Sequence, residues 1–536
     1  MGSTDKSPSK GDWEDIVARK RRDQTQAIEA FLQRQRGAKS FSDGIDIEIC
    51  SLEHKELFEA LASGNLTAES VTLAYINRAI QSHQKTNCLT EILFEQAIQR
   101  SRVLDEYFRR EGKLIGPLHG IPVSLKDQFD IKGFDSTLGY VGRAYSPSTE
   151  DAALVTLLTR LGAIVIAKTN VPQSIMIAET INPLWGLTVN PNDPSFTPGG
   201  SSGGESALLA CKGSMVGFGT DIGASIRQPS SIMGLYGLKP SSGRLPYYNV
   251  SVSTEGQEHV PSVIGPMARS LHSLTEVTKA VINSQPSDLD PRCIDLPWRS
   301  HIYDDFLTRP LTIGVISDDG VVKIHPPFQR ALDDLVGKLK SAGHEIVTWD
   351  PIGHADIIKV QDKYYTADGG EDIRRDIAVC NEPFVPQVKA LVDRGEPISV
   401  YQYWQLNRQK VSLQKMYLDH WNKTRGSTSG RKVDILLAPV APHPAVPHNS
   451  VRWVGYTKVW NFLDYPALAF PVTTVSKDID IPDPLYKPRN PTDEWNWNLY
   501  DPEKMHGHPV GLQIISQRLQ EEKVLAAAKV FETLLS

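Results

Sequence analysis

In the middle of the chain, short β-branched runs alternate with stretches of helical periodicity, and this alternation limits the possible folds more than any other feature. Runs at Ile121–Leu125 and Ile164–Ala167 flank a helical stretch at 152–161, and the same order returns within 311–349. Strands that alternate with helices are typical of a parallel sheet with helices on its faces. The pattern therefore predicts an α/β fold with a mostly parallel, covered sheet.

The N-terminal part of the chain has a helical pattern instead. Apolar residues recur near helical spacing within 13–32, and Thr67 is a plausible N-cap for a later helix. Since neither an internal repeat nor a clear linker divides the chain, we predict a helical arm at 1–80 packed on a single α/β domain at 81–536. Three further apolar runs are typical of inner strands, at 435–438, 467–472 and 510–515.

Two local segments have a distinctive composition, and no function is assigned to the first of them. The basic cluster Lys20-Arg21-Arg22 has the pattern of a solvated helix face. The Pro-rich, aromatic segment at 482–502 is predicted to be a long loop between two strands.

Charge and apolar content exclude several classes of protein. The chain has 57 Lys and Arg against 63 Asp and Glu, a net charge of −6, whereas a dedicated nucleic-acid binder normally has a basic excess. Its most apolar stretch, 154–167, is too short and too polar to span a bilayer, and the first residues have no secretory signal pattern. The five cysteines are scattered without metal-ligand spacing. We expect a cytoplasmic protein with no metal, cofactor, nucleic-acid or membrane partner; a homodimer is one expected state.

The most unusual composition lies at 199–225, which contains eight glycines and five serines. A flexible linker is one interpretation, but apolar residues interleave the glycines, and Glu205 and Asp221 indicate fixed polar roles. A dinucleotide-binding loop is a second, because Gly217-Phe218-Gly219 begins like GxGxxG. The third glycine, however, falls one residue late, and no helix with a suitable acidic residue follows.

A nucleophile elbow centred on Ser201 is a third interpretation, since 199–203 satisfies GxSxG literally. That motif requires a strand immediately before it. The preceding residues, NPNDPSFTP, contain three prolines, which exclude a central strand. The match therefore does not support an elbow.

A fourth interpretation places the chemistry at Ser225. This serine follows a strand-like run, and the backbone N–H groups of 222–225 are flanked by residues small enough for a substrate carbonyl to approach. Such an arrangement is an oxyanion hole beside a nucleophile. Serine needs a base to take its proton, and the segment contains no histidine, so the base has to come from elsewhere.

Lys126 is the candidate base. It ends the apolar run Ile121–Leu125, and catalytic groups in open α/β sheets lie at the carboxyl ends of strands. Desolvation at such a position penalises the ammonium form, so the amine can lose its proton near neutral pH.

Together, the two segments resemble the amidase-signature hydrolases. The stretch 199–229, GGSSGGES followed after eighteen residues by SIRQP, fits the family signature at nearly every defined position. PLHGIPVSLKDQFDIKG, LKPSSGRLP and HPVGLQIIS extend the resemblance from about residue 50 to the C-terminus. The phrases KTNVPQS, TVNP, STEGQE and YTADGG look most like the fungal acetamidase-type or general amidases. The resemblance implies the amidase-signature fold, a central mixed sheet covered by helices on both faces.

The resemblance also implies roles for individual residues. The family's Ser–cis-Ser–Lys triad falls on Ser225 as nucleophile, Ser201 as relay and Lys126 as base, with an acyl-enzyme on Ser225. Seven residues are implied beside this triad. Substrate-binding and oxyanion-hole positions fall on Ile222, Gly223, Ala224 and Ile175, with Ser225 and Ser201 contributing as well, and supporting positions fall on Ser202, Asp221 and Arg227.

Three of these assignments have open alternatives. For Asp221 and Arg227, a plain surface salt bridge is an equally good interpretation. For Ile175, an ordinary position in the apolar core is an equally good interpretation. Ala224 departs from the family pattern, which usually has glycine there, so its backbone angles must tolerate a Cβ atom.

The function implied is hydrolysis of the C–N bond of a small carboxylic amide to a carboxylate and ammonia or an amine. One alternative is the glutaminase subunit of a tRNA-dependent amidotransferase, and a second is a catalytically inactive scaffold. The substrate is open between catabolic amides and an amide of secondary metabolism or detoxification, because variable loops form the pocket walls.

Overall fold

The computed structural model describes residues 12–36 and 43–535, and one large mixed sheet runs through it. The described residues form thirteen strands, of which eleven belong to this sheet and two, β4 and β5, pair with each other. In chain order the strands are β1 (Leu89–Ile92), β2 (Pro122–Lys126), β3 (Ile164–Thr169), β4 (Ile181–Asn182), β5 (Gly186–Leu187), β6 (Val216–Asp221), β7 (Tyr236–Lys239), β8 (Val263–Ala268), β9 (Thr312–Val315), β10 (Glu345–Thr348), β11 (Ile435–Pro439), β12 (Ala467–Thr474) and β13 (Pro509–Ile515).

The order of strands across the sheet is β1-β3-β2-β6-β8-β7-β12-β13-β11-β9-β10. Six of the ten neighbouring pairs are antiparallel, so the expectation of a mostly parallel sheet from alternation alone is wrong, and the mixed sheet implied by the family resemblance is confirmed. The parallel pairs β3-β2-β6 and β11-β9-β10 lie where the alternating pattern was found. The strands between them pair antiparallel, which needs no crossover helix between partners.

The sheet is covered on both faces. Every residue of β2, β6 and β8 is buried, although successive side chains along a strand point to opposite faces. Water is therefore excluded from both faces of these strands, and the large sheet together with its many helices confirms the α/β fold.

Eighteen α-helices occur in the described residues. They are α1 (Trp13–Arg36), α2 (Asp43–Ile49), α3 (His54–Ala62), α4 (Ala68–Thr86), α5 (Phe94–Glu111), α6 (Ala153–Arg160), α7 (Gly203–Ala210), α8 (Arg227–Ile232), α9 (Leu271–Ile282), α10 (Ser300–Thr308), α11 (Pro326–Ser341), α12 (His354–Tyr365), α13 (Glu371–Ala378), α14 (Pro386–Val392), α15 (Val400–Lys423), α16 (Gly455–Phe462), α17 (Pro491–Asn498) and α18 (Glu521–Leu535).

The predicted start of α4 is confirmed, since the Thr67 hydroxyl accepts a hydrogen bond from the backbone N–H of Ser70. The expected loop at 482–502 is partly wrong. It contains α17, which begins after Asn490 because the amide oxygen of this residue accepts hydrogen bonds from the first backbone N–H groups of the helix.

The first helix packs against the rest of the molecule through apolar and ionic contacts. Ile28 and Phe31 enter the main apolar core. Lys20 is buried, and its ammonium forms ion pairs with Glu91 at 2.7 Å and Asp135 at 2.6 Å, so the expectation that Lys20 lies on a solvated face is wrong. The division into an arm at 1–80 and a domain at 81–536 stays a prediction, and residue 80 lies within α4.

Within the described ranges, no helix is both long enough and apolar enough to cross a membrane. The expected cytoplasmic location and homodimer stay predictions.

Candidate active site

The candidate base lies at the carboxyl end of β2, in the middle of the parallel strands. The Lys126 side chain is wholly buried. Its Nζ lies 2.7 Å from Ser201 Oγ and 2.9 Å from the hydroxyl of Thr220 on the neighbouring strand β6. Burial lowers the pKa of Lys126 to about 7, against the opposing effect of the Asp221 and Glu205 carboxylates. A lysine with this pKa is partly neutral at physiological pH and able to accept a proton.

Thr220 extends this contact into a short hydrogen-bonded chain. Its hydroxyl donates to the side-chain carbonyl of Gln128 at 2.6 Å, and the Gln128 amide donates to the backbone carbonyl of Ser251 at 2.9 Å. Because the Thr220 hydroxyl uses its proton on Gln128, its oxygen is left to accept from Lys126. The chain fixes the lysine side chain toward Ser201.

Ser201 lies in the turn that leads into α7, and the peptide bond between Gly200 and Ser201 is cis. The turn is packed closely against other backbone. A Cβ atom added at Gly200 would overlap the main chain of Glu179, and one added at Gly204 would overlap that of Asn170. The glycines around Ser201 therefore allow a close approach that no side chain would permit. No strand immediately precedes Ser201, so a nucleophile elbow is not formed.

The candidate nucleophile lies beside this turn. Ser225 is half-buried in the loop between β6 and α8. The backbone N–H of Ser202 donates to the backbone carbonyl of Ser225 at 3.2 Å, which joins the two serine-bearing segments. The structure thus brings Lys126, Ser201 and Ser225 to one edge of the sheet.

The loop 222–226 is closed by Asp221 at its start. One carboxylate oxygen of Asp221 accepts hydrogen bonds from the backbone N–H groups of Ile226, at 3.1 Å, and Arg227, at 3.4 Å. The same carboxylate binds the Arg227 guanidinium through two contacts of 3.0 and 2.9 Å. This one acid therefore holds both the backbone of the loop and the first residue of α8.

The ion pair between Asp221 and Arg227 has no exposed surface, so the interpretation as a surface salt bridge is wrong. Burial alone would raise the pKa of Asp221, but the guanidinium and the Asn461 amide outweigh it and lower the pKa to about 2. Arg227 also donates to the backbone carbonyl of Thr457 at 2.9 Å and to the side chain of Asn461 at 2.7 Å. The pair ties the loop to α16.

The orientation of the loop backbone is set from α12. The Tyr365 hydroxyl donates to the Ile222 carbonyl at 2.7 Å, and the Gln361 amide donates to the same carbonyl at 3.1 Å. Since a planar trans peptide points its C=O and N–H in opposite directions, these bonds turn the N–H of Gly223 away from α12. A Cβ at Gly223 would lie 2.9 Å from the Tyr365 hydroxyl, and Ala224 has a negative φ that accommodates its Cβ.

Glu205 is a second buried carboxyl next to the base. Its two oxygens accept hydrogen bonds from Ser124 at 2.6 Å and Thr169 at 2.8 Å. Burial raises the pKa of Glu205 to about 8, against the effect of these hydrogen bonds and of Lys126. A protonated Glu205 leaves no uncompensated negative charge beside the amine, which favours neutral Lys126 over its ammonium form.

The two remaining predicted residues have different surroundings. Ser202 is buried, and its Oγ has no hydrogen-bond partner within the described chain. Ile175 has a φ of +56° and lies in a buried apolar cluster with Leu138, Tyr140 and Ile373. A position in a core is thus observed for Ile175, and its role in an acyl pocket stays a prediction.

Sequence reasoning missed several residues that hold the site. Gln361 lies in no distinctive motif, whereas Gln128 lies in PLHGIPVSLKDQFDIKG, Thr220 in the stretch 199–229 and Tyr365 at the start of YTADGG, so these three were available as signals. Asn461 contacts Asp221 across 240 residues of chain, a pairing that no local pattern indicates. In residues 12–36 and 43–535, no group of three or more His, Cys, Asp or Glu side chains is arranged to hold a metal ion.

Comparisons with known proteins give a consistent result. The sequence model of the family described as Amidase matches residues 70–525. "Amidase 1" of Gibberella moniliformis is 51% identical, with 98% of this chain and 99% of that protein covered, and an "Acetamidase" of Emericella nidulans is 39% identical, with 91% and 90% covered. The solved structure "Fatty acid amide hydrolase" superposes with a TM-score of 0.86 at 33% identity and covers 98% of this chain and 91% of its own.

Replacing Arg227 by methionine tests the buried ion pair. We expect Arg227→Met to lower the free energy of unfolding by about 3–5 kcal/mol, because it leaves the Asp221 charge buried without its main partner. The double variant Asp221→Asn/Arg227→Met removes both charges and should recover part of that loss. Urea unfolding followed by circular dichroism measures both. Equal stability of the single and double variants would contradict the expectation.

Proposed function

The chain belongs to the Amidase family and is a hydrolase of amide C–N bonds, and we propose that it cleaves small carboxylic amides through Ser225, Ser201 and Lys126. The observation that supports this mechanism most strongly is the 2.7 Å contact between Lys126 Nζ and Ser201 Oγ at a wholly buried position. An amine is the only base in contact with either serine side chain in the described residues.

In the proposed first half-reaction, neutral Lys126 accepts the proton of Ser201, and Ser201 accepts the proton of Ser225. The Ser225 oxygen attacks the amide carbon, and the resulting oxyanion lies at the backbone N–H groups of 222–225. The relay then returns a proton to the nitrogen, the C–N bond breaks, and ammonia or an amine leaves. A water molecule activated by the same relay hydrolyses the ester on Ser225 and releases the carboxylate.

The supporting residues have distinct parts in this proposal. Asp221 and Arg227 fix both ends of the oxyanion-hole loop, and Tyr365 orients the peptide that carries the N–H of Gly223. Glu205, in its protonated form, keeps the surroundings of Lys126 free of an uncompensated carboxylate.

The names of the relatives support a stand-alone hydrolase. "Amidase 1" and "Acetamidase" both name amide hydrolysis, and neither names a subunit of an amidotransferase. The intact contact between Lys126 and Ser201 argues against an inactive scaffold. A panel of amides of graded acyl length, assayed for release of ammonia or amine, would identify the substrate range.

Ser225 should be the residue that is acylated. We expect a fluorophosphonate probe to label the peptide that contains Ser225, and mass spectrometry of the digested protein identifies the labelled residue. Ser225→Ala should abolish the label, and Ser201→Ala should slow labelling at Ser225 because the relay is lost. A label on Ser201 would instead support the elbow interpretation.

The pH dependence should report Lys126. Because only the neutral amine accepts a proton, we expect kcat/KM to rise with pH through the pKa of about 7 and to level off above it. Lys126→Ala should lose roughly 10²–10⁴-fold in kcat while keeping its thermal midpoint, since no buried charge is created. Lys126→Arg should be as inactive as Lys126→Ala, because a guanidinium group does not lose its proton in this pH range. Substantial activity in both variants, or inhibition by a chelator, would overturn this assignment.

Tyr365 should act as a positioning residue. Removal of one direct oxyanion-hole donor costs about 10²–10³-fold in kcat, and Tyr365 acts through one such peptide while Gln361 remains, so we expect a smaller loss for Tyr365→Phe, with KM nearly unchanged. Tyr500→Phe is the matched control, because it removes a buried hydroxyl that donates to the backbone carbonyl of Asp480 at 2.9 Å and does not contact Ile222. A fall in thermal midpoint with kcat unchanged would indicate a purely structural role.

A further inference from the structure

A cavity of about 470 Å³ lies outside the triad and contains residues from both of the phrases STEGQE and YTADGG. The proposed mechanism of amide hydrolysis uses only Tyr365 from these two segments. The cavity walls come from the segment 254–259, from α12 and α13, and from the start of α15. The lining includes the rings of His259, Tyr364 and Tyr403 and the carboxylates of Glu255, Asp368 and Asp372.

Three aromatic rings form one part of this cavity. The rings of His259 and Tyr364 are stacked, with centroids 4.6 Å apart and planes 5° apart. The Tyr403 ring stands at 74° to both, at 5.8 Å from His259 and 6.0 Å from Tyr364. Rings at these separations are packed on one another and leave no space between them, so only the ring surfaces that border the cavity are open to a ligand. The face of an aromatic ring attracts organic cations through its negative potential.

His259 contributes a neutral polar group to the same cavity. Its side chain is about nine-tenths buried, and its Nδ1 lies 3.4 Å from the Tyr403 hydroxyl, while Nε2 has no partner in the described residues. Burial, together with the nearby charge of Lys410, lowers the pKa of His259 to about 4. The ring is therefore uncharged at neutral pH and does not repel a cation.

The remaining polar lining is mainly acidic. Glu255, Asp368 and Asp372 form no ion pair with any described residue, whereas Glu371 is paired with Arg375 at 2.8 Å. Asp372 accepts from the backbone N–H of Glu255 at 2.9 Å, and Asp368 accepts from that of Asp372 at 3.1 Å, so the carboxylates are held in place by backbone. The nearest cation behind the rings is Lys410, which donates to the His259 carbonyl. The net charge of the lining is negative.

The cavity is connected to the candidate active site by two short stretches of chain. Tyr364 lines the cavity, and the next residue, Tyr365, holds the Ile222 carbonyl. On the other side, Ser251 accepts from Gln128 in the chain that reaches Lys126, and three residues later Thr254 lines the cavity. Three residues of extended chain span at most about 10 Å.

We propose that this cavity binds the ammonium-bearing part of an amide substrate, with the cation on the cavity side of the three packed rings and beside the carboxylates of Asp368 and Asp372. The identification of this ligand as a substrate rests on the proposed amide hydrolysis, whereas the cation site does not. The preferred substrates are then amides that carry a positively charged amino or alkylammonium group several bonds from the cleaved C–N bond.

Direct binding tests the cation site without any turnover. Choline and its neutral carbon isostere 3,3-dimethyl-1-butanol have the same shape, and isothermal titration of each into the full-length protein compares them. We expect choline to bind about tenfold more tightly, and added salt to weaken only choline. The double variant Asp368→Asn/Asp372→Asn should lose about tenfold in choline affinity.

Two further variants keep this test interpretable. Asp419→Asn removes an exposed carboxylate on α15 that is paired with Lys415 at 2.6 Å and does not line the cavity, so choline affinity should change less than about twofold. Glu255→Gln changes an exposed side chain and should weaken choline binding even if the double variant fails to fold. Equal binding of choline and the alcohol, or unchanged choline affinity in Glu255→Gln and the double variant, would overturn the cation site.

Kinetics with paired substrates tests the identity of the ligand. The pairs are 5-aminopentanamide against pentanamide, and N-(4-aminobutyl)acetamide against N-butylacetamide, which place the ammonium on the acyl side and the amine side. We expect the cationic member of one pair to have about tenfold higher kcat/KM, and the double variant to lose this preference. Choline binding without any such preference would overturn the substrate assignment. Hydrolysis of none of the four would count against the proposed function, while the choline titration would still report on the cavity.

Discussion

The candidate site depends on the burial of one lysine at the end of a central strand. Water is excluded from Lys126 by β6 on one side and the Ser201 turn on the other, and desolvation disfavours its ammonium form. An amine in this position needs partners that accept or donate hydrogen bonds but carry no charge. Thr220 and Ser201 are such partners, and a carboxylate in direct contact would restore the ammonium.

Charge near this lysine is controlled by pairing and by protonation. Asp221 stays ionised because Arg227 and Asn461 bind its two oxygens. Its carboxylate also accepts hydrogen bonds from the backbone N–H groups at the end of the loop that carries Ser225. Glu205 has only neutral hydroxyl donors, so burial raises its pKa instead. Two acids near one base thus differ in ionisation because their hydrogen-bond partners differ.

The α/β class and the proximity of Lys126 to Ser201 could be predicted from the sequence, because strand–helix alternation and the family motifs are local patterns. The assignment of Lys126, Ser201 and Ser225 as a catalytic triad stays a prediction. Lys126 follows a recognisable strand, and Ser201 and Ser225 lie within one glycine-rich segment. The direction of the central strands was not predictable from alternation, since antiparallel neighbours such as β7 and β12 are more than 200 residues apart. Tyr365 and Gln361 reach Ile222 from about 140 residues away, so their contribution required the folded chain.

The packing of α1 has a consequence for the order of events during synthesis. This helix leaves the ribosome before the residues that it contacts, because Lys20 pairs with Glu91 and Asp135, and Ile16 packs beside Trp185. Until residues up to Trp185 have been translated and folded, the apolar stripe of α1 has nothing to cover it. The helix α1 is therefore made before the elements on which it packs, and its apolar stripe stays exposed in the nascent chain until those elements have formed.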